Sequence, residues 1–426
     1  RQIMETDRHI MHGGKGALMV CARMTRAGSA IVGFDIMERR PDAMIYFDNA
    51  ATTRVKPPEV VEAVCAALGS FGGSGRGVHE ASLNAGRAVY DARAALARLL
   101  GAPSAARVSF ALNATAALNV AIAGLLPDGG CAVTTAASHN SVLRPLFKAR
   151  DERGCEVRIA SVMPDAALDF ASYARLLNGA DVVVATHASN LTGDVYDVAR
   201  MARLAHEAGA LFVLDAAQTA GALPLSLAAT GADVVCFTGH KSLYGPQGTG
   251  GLCVAEGVDI PPLLEGGSGT HSFDERHPRF MPESLEAGTL NAHGLAGLAA
   301  GVAYLERVGV GAVADRLRQI TERFEAGVQD IPGVRVLGGH GGIARCGIVA
   351  VEADGLDSAA IADLLSVEYG VCTRAGAHCA PLMHRALGTQ ERGAVRFSFS
   401  YFTTNEEVEA GIDALDQVVR ELSEQV

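Results

Sequence analysis

Apolar and polar positions follow two alternating rhythms between about residues 81 and 256. Short runs rich in β-branched residues, "RVSF", "CAVTT", "VRIASV", "DVVVATH", "LFVLD", "DVVCF" and "GLCVA", read as strands. Helical patterns separate them, and "ASLNAGRAVYDARAALARLLG" places Val89, Leu96, Leu99 and Leu100 on one face. The alternation predicts an α/β fold built on a mostly parallel sheet, seven strands by these runs, with helices covering both faces. In such sheets ligands gather beyond the carboxyl ends of the strands, so the residues just after each strand carry the chemistry.

From about 295 to 331 the pattern is helical for longer, with Leu298, Val302, Leu305, Val308, Leu317, Ile320 and Phe324 in one loose stripe. An apolar run "CGIVAVEA", a helix at "DSAAIADLLSVEYG", the strand "AVRFSFSY" and a last helix at "TTNEEVEAGIDAL" follow. Threonine or asparagine caps that last helix, with glutamates in its first turn. The expected division is a large α/β domain over residues 44–294 and a smaller α+β domain over 295–426. Residues 1–43 mix methionines with charges and show little periodicity, so they read as a poorly ordered extension, with the folded part starting near Met44.

Composition narrows the partners. A chain of 426 residues with 49% hydrophobic and 19% charged residues can bury a large interior in two lobes. Its net charge of -11, without a clustered basic face, argues against nucleic acid and anionic membranes and for a small-molecule substrate. The nine cysteines show no C-x-x-C spacing and read as reduced thiols of a cytoplasmic protein. No apolar segment is long enough to span a bilayer, and no secretory leader pattern is visible.

The stretch "CFTGHKSLYGPQGTGG" sets Lys241 just past a buried strand and ahead of a glycine-rich turn. Burial depresses a lysine's pKa and frees its amine as a nucleophile, as a Schiff-base lysine requires. Taken alone it reads better as a surface lysine beside a loop, so the rest of the chain must decide. Asp215 ends the strand "LFVLD" 26 residues earlier and is followed by Gln218. A strand-end carboxylate meets the demand of pyridoxal phosphate for an anion that keeps its pyridine nitrogen protonated. In isolation Asp215 is as well read as a helix N-cap. Asn190 stands at the next strand end, His139 follows "CAVTT", and Asn113, Ala114 and Thr115 open a helix whose backbone N–H groups could hold a phosphate. A histidine at His139 could stack on a planar ring, although a lone histidine is more often simply hydrogen-bonded.

Together these residues resemble the class V, fold type I pyridoxal-phosphate enzymes of the cysteine desulfurase and selenocysteine lyase family. The resemblance runs from about Tyr46 to the last helix through "YFDNAATT", "GVHEAS", "NATAALN", "SHNSVLRP", "HASNLTG", "LDAAQTAG", "FTGHKSLYGPQG", "EAGTLN", "RAGAHCAP" and "VRFSFSYFTTNEE", in the family's order. It implies Lys241 as the lysine that binds the cofactor covalently, Asp215 as the pyridinium partner, Gln218 as donor to the ring hydroxyl and His139 as the stacking imidazole. Ala114, Thr115, Thr238 and His240 would hold the phosphate, with Thr289 reaching it from the second subunit of a homodimer. Arg396 would clamp the substrate carboxylate, and Asn190 would lie near the substrate and the ring hydroxyl. The chain departs from the family at Ser138, where glutamate is usual, and at Ala377, where some relatives carry a second histidine.

Cys379 of "CTRAGAHCAP" matches the family's nucleophile, with Arg374 and His378 close by to favour its thiolate, whereas Cys372 reads as structural. The implied activity is removal of sulfur from L-cysteine, giving alanine and a Cys379 persulfide for a protein acceptor. Selenocysteine lyase is the alternative, where attack by a protein thiol is not needed. An aminotransferase would give Cys379 no role, and a cofactor-free scaffold would leave Lys241, Asp215, Gln218 and Arg396 unexplained.

Overall fold

The computed structural model describes residues 44–75, 77–339 and 344–424; the expectation for residues 1–43 lies outside them. Strand β1 (Ile45–Tyr46) is followed by helices α1 (Pro58–Ser70) and α2 (Glu80–Leu100). A run of alternating elements comes next: β2 (Val108–Ala111), α3 (Ala114–Leu125), β3 (Cys131–Thr135), α4 (Asn140–Arg153), β4 (Glu156–Ala160), α5 (Phe170–Leu176), β5 (Val182–Thr186), α6 (Val198–Glu207), β6 (Leu211–Asp215), α7 (Leu227–Thr230), β7 (Val234–Thr238) and β8 (Gly250–Val254). Strands β2 to β8 form a seven-stranded sheet in the order β2-β8-β7-β6-β5-β3-β4, parallel except for β8, which runs against both neighbours.

Strand β5 shows why the sequence reads as it does. All five residues of "VVVAT" are buried, because both faces of the sheet are covered. Successive side chains serve opposite cores: Val182 and Val184 pack with α3 and α4, whereas Val183 and Ala185 join the cluster that includes α2. The register pairs Thr186 with Asp215 and Asp215 with Cys236, so the carboxyl ends of β5 and β6 lie level while β7 runs on to Thr238. Gly250 at the start of β8 is required by space: a Cβ there would lie 2.7 Å from Asn113 Cα, at the mouth of α3.

The long helical stretch after residue 291 is two helices, α8 (Ala292–Val308) and α9 (Val310–Gln329). They meet at 81° about Gly309, whose positive φ of 87°, a conformation open mainly to glycine, ends α8. The apolar stripe runs through the break because both helices bury Leu298, Val302, Leu305, Leu317, Ile320 and Phe324 in one core. Among the described residues no single helix is long and apolar enough to cross a membrane.

The remaining elements are β9 (Val334–Leu337), β10 (Ile348–Ala353), α10 (Ser358–Tyr369), β11 (Val371–Cys372), β12 (Arg374–Gly376), α11 (Pro381–Leu387), β13 (Ala394–Ser398) and α12 (Asn405–Ser423). An antiparallel sheet in the order β12-β13-β10-β9 carries Arg396 on its inner strand. Thr404 caps α12 in a reciprocal box with Glu407. Strand β1 pairs in parallel with β11, and Asp48 bridges to Ser398, so the segment after β1 is bound to this second sheet.

Candidate active site

A cavity of about 250 Å3 opens where β5, β6 and β7 end. It is lined by Ala114, Thr115, His139, Asn190, Asp215, Gln218, Thr238, His240, Lys241, Arg374, His378, Cys379 and Arg396, among others. Residues drawn from seven separate sequence motifs thus line one cavity. Thr289 lies elsewhere, on a second cavity with Arg93, Ser268, Thr270 and Glu286.

One rim is the start of α3. Asn113 is extended and accepts a hydrogen bond from Ala116 N–H at 3.0 Å, which leaves the amides of Ala114 and Thr115 without intrahelical partners. Ser141, to which the sequence reading gave no role, ties this rim to His139. Its hydroxyl lies 2.7 Å from Thr115 Oγ1 and 2.8 Å from His139 Nδ1, and its N–H donates to the same Nδ1 at 3.0 Å. The imidazole therefore carries its proton on Nε2. Burial first, then the charges of Lys241, Arg396, Arg144 and Arg374, push its pKa down to about 4, so it is neutral at physiological pH.

The floor holds the carboxylate and the lysine. Asp215 is buried and Oδ1 accepts from Ala217 N–H at 3.0 Å, an Asx turn in place of a helix cap. Burial raises its carboxyl pKa, against the pull of Lys241. Lys241 is brought down to about 8 by burial and by the charge of Arg396, with Asp215 opposing. The peptide before it is held firmly: His240 C=O accepts from Thr53 N–H at 3.1 Å, Thr52 Oγ1 at 3.2 Å and Lys56 Nζ at 3.2 Å.

Arg396 reaches in from β13 and is almost wholly buried. Its Nη1 donates to Asn190 C=O at 2.8 Å and its Nη2 to Asp48 Oδ1 at 2.9 Å. Asp48 is thus a functional neighbour that the sequence reading quoted within "YFDNAATT" without giving it a role. Gln218 Nε2 donates to Ala50 C=O of the same segment at 3.3 Å.

Cys379 is exposed on the cavity rim, in the short turn between β12 and α11. His378 and Cys379 both have positive φ, 50° and 55°, a costly pair for residues with a Cβ. Hydrogen bonds from across the cavity compensate: Asn190 Nδ2 donates to His378 C=O at 2.6 Å and Asn140 N–H to Cys379 C=O at 2.9 Å. His378 does not help ionise the thiol as the sequence suggested. Burial drives its pKa down to about 3, and its Nε2 donates to Arg374 C=O at 3.1 Å, so the ring is neutral and turned to the backbone. The departure at Ser138 has a structural sense, since its fully buried hydroxyl sits 2.9 Å from Thr134 Oγ1 inside the sheet.

Asn190 Oδ1, Thr238 Oγ1, His240 Nδ1, His378 Nδ1 and Arg396 Nε are buried without a hydrogen-bond partner, and all five belong to cavity-lining residues. Each such atom costs about 1–3 kcal/mol unless a ligand satisfies it. The donor set fits pyridoxal phosphate: a carboxylate deep on the floor, a lysine beside it, a neutral imidazole above, and helix amides with hydroxyl and imidazole groups for a phosphate.

Comparison with known proteins agrees. The profile of the family described as aminotransferase class-V matches residues 45–410. A probable cysteine desulfurase from Methanothermobacter thermautotrophicus is 32% identical over 385 residues, covering 88% of this chain and 94% of that protein. The apo cysteine desulfurase of Thermococcus onnurineus superposes with a TM-score of 0.84 at 32% identity, over 89% of this chain and 95% of its own. Cysteine desulfurase CsdA of Escherichia coli gives 0.79 at 28% identity, over 89% and 96%. With its cavity, its sheet and its sequence in agreement, the chain belongs to the class-V aminotransferase family of pyridoxal-phosphate enzymes.

Proposed function

We propose that the chain is a cysteine desulfurase that takes sulfur from L-cysteine, releases L-alanine and keeps the sulfur on Cys379. The observation that carries this reading is the exposed Cys379 thiol on the same cavity as Lys241 and Arg396. Ala114 and Thr115 amides, with Thr238 and His240, would hold the cofactor phosphate; His139 would cover the ring, and Gln218 and Asn190 would meet its hydroxyl. Asp215 would keep a proton on the pyridine nitrogen. When bound, pyridoxal phosphate supplies an electron sink for a substrate carbanion.

Arg396 binds the substrate carboxylate, for which its buried Nε is left without a hydrogen-bond partner on this cavity. Lys241 removes the α-proton. With a pKa of about 8, about one in ten such lysines is uncharged at pH 7, against fewer than one in a thousand for an ordinary lysine. Cys379 thiolate then attacks the substrate sulfur: the Sγ–S bond forms, the substrate Cβ–S bond breaks, and its electron pair stays with the carbon fragment. Protonation of that carbon yields alanine. Thr289, on its separate cavity, supports a homodimer in which each subunit completes the phosphate site of the other.

The test is mass spectrometry of the holoenzyme after brief incubation with L-cysteine. The Cys379 peptide gains one sulfur atom, removable by reductant, in step with the first turnover of alanine. Alanine release with Cys379 unmodified would replace this reading with the lyase one, in which L-selenocysteine is the substrate to compare.

A further inference from the structure

Beside the cavity, among the described residues, stand cationic side chains that no carboxylate pairs with. Arg374, at the start of β12, lines the cavity five residues before Cys379. Arg144 stands on α4 one turn beyond Asn140, whose N–H holds the Cys379 carbonyl at 2.9 Å, so the two share a helix face. Arg54 sits in the turn whose Thr53 and Lys56 both grip His240. All three arginines are exposed, and among the described residues none takes part in an ion pair or side-chain hydrogen bond. The carboxylates that act on this site, Asp48 and Asp215, are engaged by Arg396 and on the floor. In a chain of net charge -11, Arg374 thus lines the cavity of the exposed thiol, Arg144 is close enough for its charge to act on His139, and Arg54 lies in the adjoining turn, where its charge acts on Tyr46 and Cys372.

We infer that Arg54, Arg144 and Arg374 form a docking ring for an acidic protein surface that brings the sulfur-accepting thiol to Cys379. The inference rests on the reading of Cys379 as sulfur donor. A protein fits better than a nucleic acid, because three arginines cannot offset the repulsion of a polyanion by the rest of a strongly acidic chain. In the transfer, the acceptor thiolate attacks the outer sulfur of the Cys379 persulfide. The new S–S bond forms on the acceptor, the Cys379 Sγ–S bond breaks, and Cys379 leaves as thiolate with no net oxidation. Opposite charges at the rim act mainly on the rate of encounter, which falls as salt rises.

The experiment gives the holoenzyme and L-cysteine one of two synthetic cysteine peptides of equal length, flanked by glutamates or by lysines, and follows persulfide on each peptide. Dithiothreitol serves as a small uncharged acceptor. The glutamate peptide should react about tenfold faster than the lysine peptide at low ionic strength, with the gap closing at high salt. In the Arg54→Glu, Arg144→Glu double variant that preference should vanish while dithiothreitol-supported alanine formation stays at the parental rate. Equal rates for the two peptides, or a preference untouched by the double variant, would overturn the docking ring. Stronger inhibition of peptide persulfidation by a single-stranded RNA than by polyglutamate would overturn the choice of a protein partner. Absence of alanine formation even with dithiothreitol would instead sink the desulfurase reading itself.

Discussion

The buried pair Arg93–Glu286 offers the sharpest test of what holds the large sheet to the segment carrying Thr289. Glu286 Oε1 accepts from Arg93 Nη1 and from Phe110 N–H, both at 2.6 Å, and Oε2 accepts from Arg93 Nη2 at 2.8 Å. The side chains are 8% and 6% exposed, so water cannot replace either partner. Glu286→Gln keeps the volume but removes the charge and turns an N–H2 towards a guanidinium that can only donate. Breaking one partner of a buried pair costs about 3–5 kcal/mol. With an unfolding entropy of about 2.1 cal/mol/K per residue over 426 residues, that is a drop of about 3–6 °C in Tm. Calorimetry on the holoenzyme reads it directly. The Arg93→Met, Glu286→Met double variant should recover most of the loss, because no charge is then stranded. A single variant within one degree of the parent, or a double variant worse than either single one, would refute the argument.

Borohydride reduction of the holoenzyme should fix the cofactor on the Lys241 peptide, and a label on Lys56, also lowered to about 8, would reassign the lysine. Cys379→Ala should lose about a thousandfold or more in turnover on L-cysteine while α-proton exchange measured by NMR survives; alanine release at the parental rate would make the thiol structural. Acid should destabilise the fold early: His139, His187 and His240 are each brought from 6.5 to about 4, so the unfolded chain binds protons that the folded one refuses. Stability is therefore full above about pH 6.5 and falls as pH drops towards 4, each histidine adding up to ~1.4 kcal/mol per unit; a flat urea midpoint across that window would contradict it. Sedimentation should find an active homodimer, and a fully active monomer would remove Thr289 from the site.

Strand ends were legible in the sequence because in a sheet covered on both faces the apolar run stops where the chemistry begins. "LFVLD" and "DVVCF" thus point to Asp215 and to the turn with Lys241 without any knowledge of the third dimension. Asp48 and Ser141 were not legible as contributors. Asp48 meets Arg396 across 348 residues, and nothing in its local pattern records that pairing. Ser141 offers a weaker signal, a hydroxyl two residues after a capping histidine, which many helix starts share. His378 misled for the opposite reason: proximity in sequence to a thiol suggested electrostatic help, while burial and a backbone bond to Arg374 fixed the ring as neutral. The break at Gly309 was hidden because the apolar stripe continues through it.

The pairing of residues 45–50 with the second sheet has a consequence in time. Ile45 and Tyr46 find their strand partners at Val371 and Cys372, Asp48 meets Ser398 and Arg396, and Asn49 donates to Ser398 C=O at 2.9 Å. During synthesis this early segment must wait, with its backbone groups unpaired, until residues nearly 350 positions later leave the ribosome. At about 5–20 residues per second that interval is on the order of tens of seconds. The central sheet can assemble meanwhile from neighbours close in sequence, but the wall of the cavity that carries Arg396 cannot. On the proposed reading, capture of substrate is thereby tied to a late stage of synthesis: a product truncated before β13 carries Cys379 but lacks Arg396, the group proposed to bind the carboxylate.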